Sequence, residues 1–347
     1  VLVTDTNGNP VSGVTVTWSV GGGGSITANS DTNASGIAVA TRVLGTTAGT
    51  QTASASVGGL TPVAFTATAT ADAASQMAVS VGNGQSATVG TAVSTAPAVL
   101  VEDQYGNPVA GELVTFAVPF GDGTVDPGTA VATNASGIAA VTSWTLGTAA
   151  GPDSLTATAG SGGVTGSPVT FTATATVGAA SQLVLSAGNG QSAVAGSPVA
   201  VEPAVSVEDQ YGNPVAGASV AFTVTSGGGS VTGSPATSSG SGVATVGSWT
   251  LGSTAGSNTL EATSAGVVGS VVFTATGTAG SAATIALDGG NSQTGTVGTT
   301  LGTAYSVLVT DTNGNPVSGV TVTWSVGGGG SITANSDTNA SGIAVAT

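Results

Sequence analysis

The segment Asp103-Gln104-Tyr105-Gly106-Asn107-Pro108-Val109 returns as Asp209-Gln210-Tyr211-Gly212-Asn213-Pro214-Val215, and a sister form, Asp-Thr-Asn-Gly-Asn-Pro-Val, begins at Asp5 and again at Asp311. The four copies start 98, 106 and 102 residues apart. Such spacing predicts a tandem array of units of about 100 residues. Gly-Asn supplies the left-handed conformations of a tight turn, and Pro then fixes φ at the entry to a strand. Each copy runs on in apolar/polar alternation, as Val14-Thr15-Val16-Thr17-Trp18 or Val220-Ala221-Phe222-Thr223-Val224. That period of two predicts a half-buried strand.

Charge narrows the function classes. Arg42 is the single basic residue against sixteen Asp and Glu, and His, Lys and Cys are absent. Nothing is available to displace counterions from phosphates, so no nucleic-acid partner is expected. The same lack argues against anionic membrane surfaces. Disulfides and thiolate metal sites have no ligands. With 40% hydrophobic residues and recurrent Val and Thr, the chain reads as folded rather than disordered. No run of about 18 apolar residues suggests a membrane span, so no membrane insertion is expected in this segment, and no leader peptide opens the sequence. Helix-period segments are almost lacking, and the expected class is all-β.

The turns divide the chain into four segments. Residues 1–71 read as a partial domain lacking its opening strands, 72–177 and 178–279 as complete domains, and 280–347 as a partial domain lacking its closing strands. Residues 72–177 open with Ala73-Ala74-Ser75-Gln76 and close on Phe171-Thr172-Ala173-Thr174. Residues 178–279 repeat that order from Ala179-Ala180-Ser181-Gln182 to Phe273-Thr274-Ala275-Thr276. Connections of a handful of residues predict an extended rod of end-to-end modules. Residues 307–347 are identical to residues 1–41, an offset of 306. The higher-order repeat is therefore three domains long, and the expectation is one continuous polypeptide in which such units follow one another.

The Asp-x-x-Gly-Asn-Pro-Val turn, the Asn-Ala-Ser-Gly-Ile-Ala turn and the strands Trp144-Thr145-Leu146-Gly147 and Trp249-Thr250-Leu251-Gly252 resemble the bacterial immunoglobulin-like domains of the invasin and intimin group. The likeness covers the whole chain. It implies tandem immunoglobulin-like β-sandwiches of the kind that serve as spacers in surface adhesins and filaments. The first unit departs from the pattern, with Arg42 where the others carry Trp144 and Trp249.

Recurrent aromatics among small residues point to the core. Trp18, Phe116, Phe222 and Trp324 align at one position, and Phe65, Phe171 and Phe273 at another; all are expected inside a sandwich, each contributing on the order of 2–3 kcal/mol by burial. Because Arg42 cannot sit dry without a partner, Trp144 and Trp249 are expected at the sandwich margin. On that reading Trp144→Arg costs little, whereas Phe116→Ala costs about 3–5 kcal/mol.

Catalysis finds no usual base or activated nucleophile. The neighbouring carboxylates Glu102-Asp103 and Glu208-Asp209 point to opposite faces of a strand and form no dyad, so no enzyme activity is expected. Asp5, Asn7 and Asn9 set oxygen side chains at alternate positions, as calcium loops do. Pro10 and Val16 stand where such a loop needs Gly and Glu, and capping of the turn by its own side chains explains the same residues. Asp72 with Glu102 is a second calcium candidate, near a domain joint. Otherwise no cofactor is expected. Asn33, Asn134 and Asn339 each open an Asn-Ala-Ser glycosylation sequon on a turn, where Asn is also a conformational choice; glycans are candidate partners there and on exposed Thr. The function expected is a structural repeat segment of an extracellular filament or surface stalk, partnered by further copies of itself. The alternative is an adhesin segment binding a host receptor or carbohydrate.

Overall fold

The protein is described by a computed structural model covering all 347 residues. Thirty-one strands and no helix make it all-β, so no helix is long and apolar enough to cross a membrane. The chain divides into two compact units, residues 1–176 and 177–347.

In the first unit, residues 76–176 build a complete immunoglobulin-like sandwich. One sheet has the order Ile138–Ala140, Ala98–Glu102, Gln76–Val81, all antiparallel. The other runs Val131–Ala132, Leu113–Ala117, Gly151–Ala159, Val169–Thr176, Gln85–Thr88. Its last pair is parallel, with Ala173 beside Gln85 and Thr176 beside Thr88. The opening segment thus contributes to both sheets. It crosses between them at Gly82, whose φ is +88° and where a Cβ would stand 2.8 Å from the Cα of Pro97. Strand alternation does the rest: every second residue of Val169–Thr176 is buried. Val99, Val101, Val114, Phe116, Leu155 and Phe171 close one apolar core from the two sheets.

Residues 15–69 form a four-stranded sheet in the order Asn29–Asp31, Thr15–Gly21, Gly49–Ser56, Val63–Ala69. No strand lies outside Val63–Ala69 in the position that Gln85–Thr88 fills beside Val169–Thr176. This corrects the expectation for Phe65. Its ring packs 5.9 Å from Trp18 but remains 40% exposed, whereas Phe171 and Phe273 are fully buried. Trp18, Phe116 and Phe222 are buried as expected, and Trp324 is half-buried.

The second unit repeats the sandwich over residues 182–278, with Gln191–Val194 again parallel to Val271–Thr278. It continues into a sheet of Thr284–Gly289, Tyr305–Thr310 and Ile343–Ala346 and a pair of Thr321–Thr323 with Asn335–Asp337. The duplicated 41 residues adopt matching local structure: the indole of Trp18 donates to Ser30 Oγ and that of Trp324 to Ser336 Oγ, both at 2.9 Å.

Trp144 and Trp249 are not marginal. Both are completely buried on the two-stranded sheets of Thr124–Asp126 with Ser143–Thr145 and Gly229–Thr232 with Ser248–Leu251. Their indole nitrogens have no acceptor, so these rings are held by apolar packing alone. Arg42 occupies the aligned place by a different solution. Its Nη2 donates to Gly21 O at 3.3 Å and to Gln51 Oε1 at 3.2 Å, and its stem lines a groove with Trp18 and Phe65. The alignment was sound, but Arg and Trp do not share an environment there.

Candidate functional site

The most elaborately bonded polar groups sit where one sheet system meets the next. In the turn at Asp103, the chain closes through Asp103 N–H to Asn107 O at 2.9 Å and Gly106 N–H to Asp103 O at 3.1 Å. Gly106 has φ of +82°, the left-handed geometry the turn requires. The Asp103 carboxylate is 1% exposed. Its Oδ1 accepts the N–H groups of Tyr105 and Asn107, at 2.8 and 2.9 Å. Its Oδ2 accepts Asn107 Nδ2 at 2.8 Å and Asp72 N–H at 2.9 Å. Burial opposes ionisation of this group, but the Asn107 amide and the three N–H donors prevail and lower its pKa to about 2.

Asn107 then reaches out of its own sandwich. Its Nδ2 donates to Thr46 O at 2.8 Å, and its Oδ1 accepts Ala48 N–H at 2.8 Å. A primary amide offers a donor and an acceptor side by side, so it pairs with the backbone at 46–48 much as a strand residue would. The loop it holds is tied down from behind. Gln51, 2% exposed, accepts Gly45 N–H at 2.9 Å and donates to Thr47 O at 2.8 Å.

The second unit shows the same construction. Asn315 Nδ2 donates to Ser253 O at 2.9 Å while its Oδ1 accepts Ala255 N–H at 2.7 Å. Asp311 accepts Asn315 Nδ2 at 2.9 Å and Gly280 N–H at 2.8 Å. The Asn315 amide and the Gly280 N–H bring its pKa to about 2 against the cost of burial. Behind the loop, Asn258 accepts Gly252 N–H at 3.0 Å. In the sandwich of residues 76–176 the aligned residue is Asp153, which accepts Gly147 N–H at 3.1 Å. The sequence reading missed this anchoring residue. Its signal is an acceptor side chain nine positions after Arg42, Trp144 and Trp249, namely Gln51, Asp153 and Asn258.

The calcium candidates are engaged with protein donors. Asp5 Oδ1 accepts the N–H groups of Asn7 and Asn9, both at 2.9 Å, and Oδ2 accepts Asn9 Nδ2 at 3.0 Å. These bonds, with that from the Asn9 amide largest, lower the Asp5 pKa. Asp72 accepts Gln104 Nε2 at 3.0 Å, and Glu102 faces Gln76 Nε2 at 3.4 Å. Nowhere do three Asp or Glu side chains gather into a set able to hold a metal ion.

Asn33, Asn134 and Asn339 are exposed and all perform one conformational task. Each side-chain oxygen accepts two N–H groups of its turn: Ser35 and Ile37, Ser136 and Ile138, Ser341 and Ile343, at 2.9 and 3.1 Å in each case. Ser239 does the same in the remaining copy with 3.3 Å bonds.

No known protein family and no curated protein matches the sequence. Among solved structures the chain is similar to bacterial adhesins with immunoglobulin-like domains of the invasin and intimin group. The Escherichia coli adhesin FdeC shares 23% identity, with 79% of this chain and 90% of that one aligned at a TM-score of 0.49. Invasin, a bacterial integrin-binding protein, shares 17% identity over the whole of this chain and 69% of its own at 0.47. Yersinia pseudotuberculosis InvD shares 21% over 70% of this chain and 72% of its own at 0.40.

Proposed function

We propose that the chain is a structural repeat segment of an extracellular filament or cell-surface stalk. It comprises domains 1–71, 72–177, 178–279 and 280–347, and its 306-residue unit recurs along one polypeptide. The observation that carries this reading is the side-chain clasp. Asn107 and Asn315 grip the preceding loop through the same two bonds, and a carboxylate immobilises each amide from behind. Domains joined only by a linker tumble independently. A buried amide that completes both its donor and acceptor bonds across the joint ties residues 72–177 to the sheet before them, and another does the same for residues 280–347. The surface fits the same task, with one cation in 347 residues and the aromatic side chains of the two complete sandwiches spent mainly on the core. The similarity to surface adhesins agrees with a place outside the cell. Electron microscopy of the native assembly tests the proposal. Filaments whose axial period equals three domains are expected, and globular particles refute it.

A further inference from the structure

The outer edge of Val63–Ala69 and the segment 290–297 are each half of a pairing that the two complete sandwiches display whole. In those sandwiches the edge is filled in parallel by Gln85–Thr88 and by Gln191–Val194, with Ala173 beside Gln85 and Ala275 beside Gln191. The approach is fixed by Asn83 and Asn189, whose Oδ1 atoms accept the N–H groups of Thr172 and Thr274 at 2.8 Å. The next residues, Gly84 and Gly190, donate to Thr172 O and Thr274 O at 2.9 Å. Val89 and Ala195 then bury beneath the sheet.

Residues 290–297 already have the shape of that filler. Gln293 donates to Gly290 O at 2.6 Å and Thr303 O at 2.7 Å, as Gln85 does to Gly82 and Thr95 and Gln191 to Gly188 and Val201. Asn291 stands at the place of Asn83 and Asn189. Ser292 has φ of +56°, the only non-glycine with positive φ, where Gly84 and Gly190 have +70°. Yet Val297 is 96% exposed, and on the open edge strand Val63 and Phe65 are 49% and 40% exposed. The turn is shaped for a strand that this copy does not place against it.

We infer that the Val63–Ala69 edge takes residues 280–306 of a second copy of this chain, standing where the neighbouring repeat stands in an array. Gln293 lies beside Ala67, Thr294 beside Thr68 and Thr296 beside Thr70, all parallel. Asn291 Oδ1 accepts the Thr66 N–H, and the Val297 N–H reaches Thr70 O as that of Val89 reaches Thr176 O. In its own copy Thr284–Gly289 pairs with Tyr305–Thr310, and residues 307–310 are identical to residues 1–4, so the transfer exchanges like for like while adding the parallel edge. The inference rests on the tandem-repeat reading above.

The absence of cysteine makes the register testable in chains of these 347 residues. Thr68→Cys and Thr294→Cys preparations are mixed under mild oxidation. Both sites are exposed, and directly paired strand residues lie within disulfide reach. A heterodimer is expected to form faster than when Thr223→Cys, on an exposed strand face, replaces Thr68→Cys. A synthetic peptide of residues 280–306 should suppress it, and a scrambled peptide should not. Heterodimer formation equal to the Thr223→Cys control, or indifferent to the peptide, overturns the inference. If that happens while micrographs still show three-domain filaments, only the pairing falls. If the micrographs show no filament, the array reading falls with it.

Discussion

Asn107 accepts the Ala48 N–H at 2.8 Å, a bond between residues 59 positions apart that belong to successive sheet systems. Replacing Asn107 with Ala removes this bond and the one to Thr46, and leaves the Asp103 carboxylate without its amide donor. The expected loss is about 1–3 kcal/mol, the cost of stranding a buried polar group. It should appear locally. Hydrogen exchange of the Ala48 amide should accelerate strongly while that of Phe171 is unchanged. Equal acceleration at both would mean that the joint has no stability of its own.

The joint carboxylates set a pH window. Asp103 and Asp311 titrate at about 2 in the folded chain, below the ordinary aspartate value of about 3.9. A depressed folded pKa gives stability that is complete above the unfolded value and fades as pH falls through the folded one. The joints should therefore weaken between about pH 4 and pH 2. The sandwiches should persist, because once the carboxylates are neutral only Arg42 and the amino terminus carry charge, and little repulsion remains to drive unfolding. Amide exchange at Asp72 and Ala48, compared with Phe171, reads the two processes separately. Cooperative loss of all three across that window contradicts the expectation.

Trp144 reverses the stability ranking drawn from sequence. It is fully buried with the indole unpaired, so Trp144→Arg removes a ring that apolar packing holds and forces a charge into its place. Thermal melts should show it to be at least as damaging as Phe116→Ala, for which about 3–5 kcal/mol is expected. A shift near zero would restore the marginal placement.

The sequon asparagines have a structural duty whether or not they carry sugar. Asn134→Ala removes two acceptor bonds from an exposed turn and should cost about 0.5–2 kcal/mol, as the loss of comparable caps does. Asn134→Ser, which copies Ser239, should recover part of it. Intact-mass measurement of native material decides glycan use independently, since an unmodified mass excludes it.

Continuity of the array is read from polypeptide size. The denatured native polypeptide should be far larger than the 32.0 kDa of these 347 residues. A single band at that mass would replace the continuous array with separately synthesised, strand-sharing units.

The sequence made the sandwich legible because its grammar is local: a period of two, a turn with Gly-Asn-Pro and a repeat every hundred residues or so. It also located Phe116, Phe171 and Asp103. It did not reveal the clasp, because Asn107 looks like any turn asparagine until Thr46 and Ala48 are brought against it from a distant part of the chain. Phe65 was misjudged for a related reason. Burial belongs to the pairing of two strands, and no residue in Val63–Ala69 records whether its outer neighbour is present.

The parallel pairing of Gln85–Thr88 with Val169–Thr176 has a mechanical consequence. The first of these strands lies near the start of the sandwich and the second at its end, so tension on the two chain ends draws them in opposite directions along a common axis. Four residue pairs then bear the load in shear and must rupture together, whereas a hairpin pulled open from its tip yields one pair at a time. Under pulling, a domain wired this way resists as a clamp and not as a zipper.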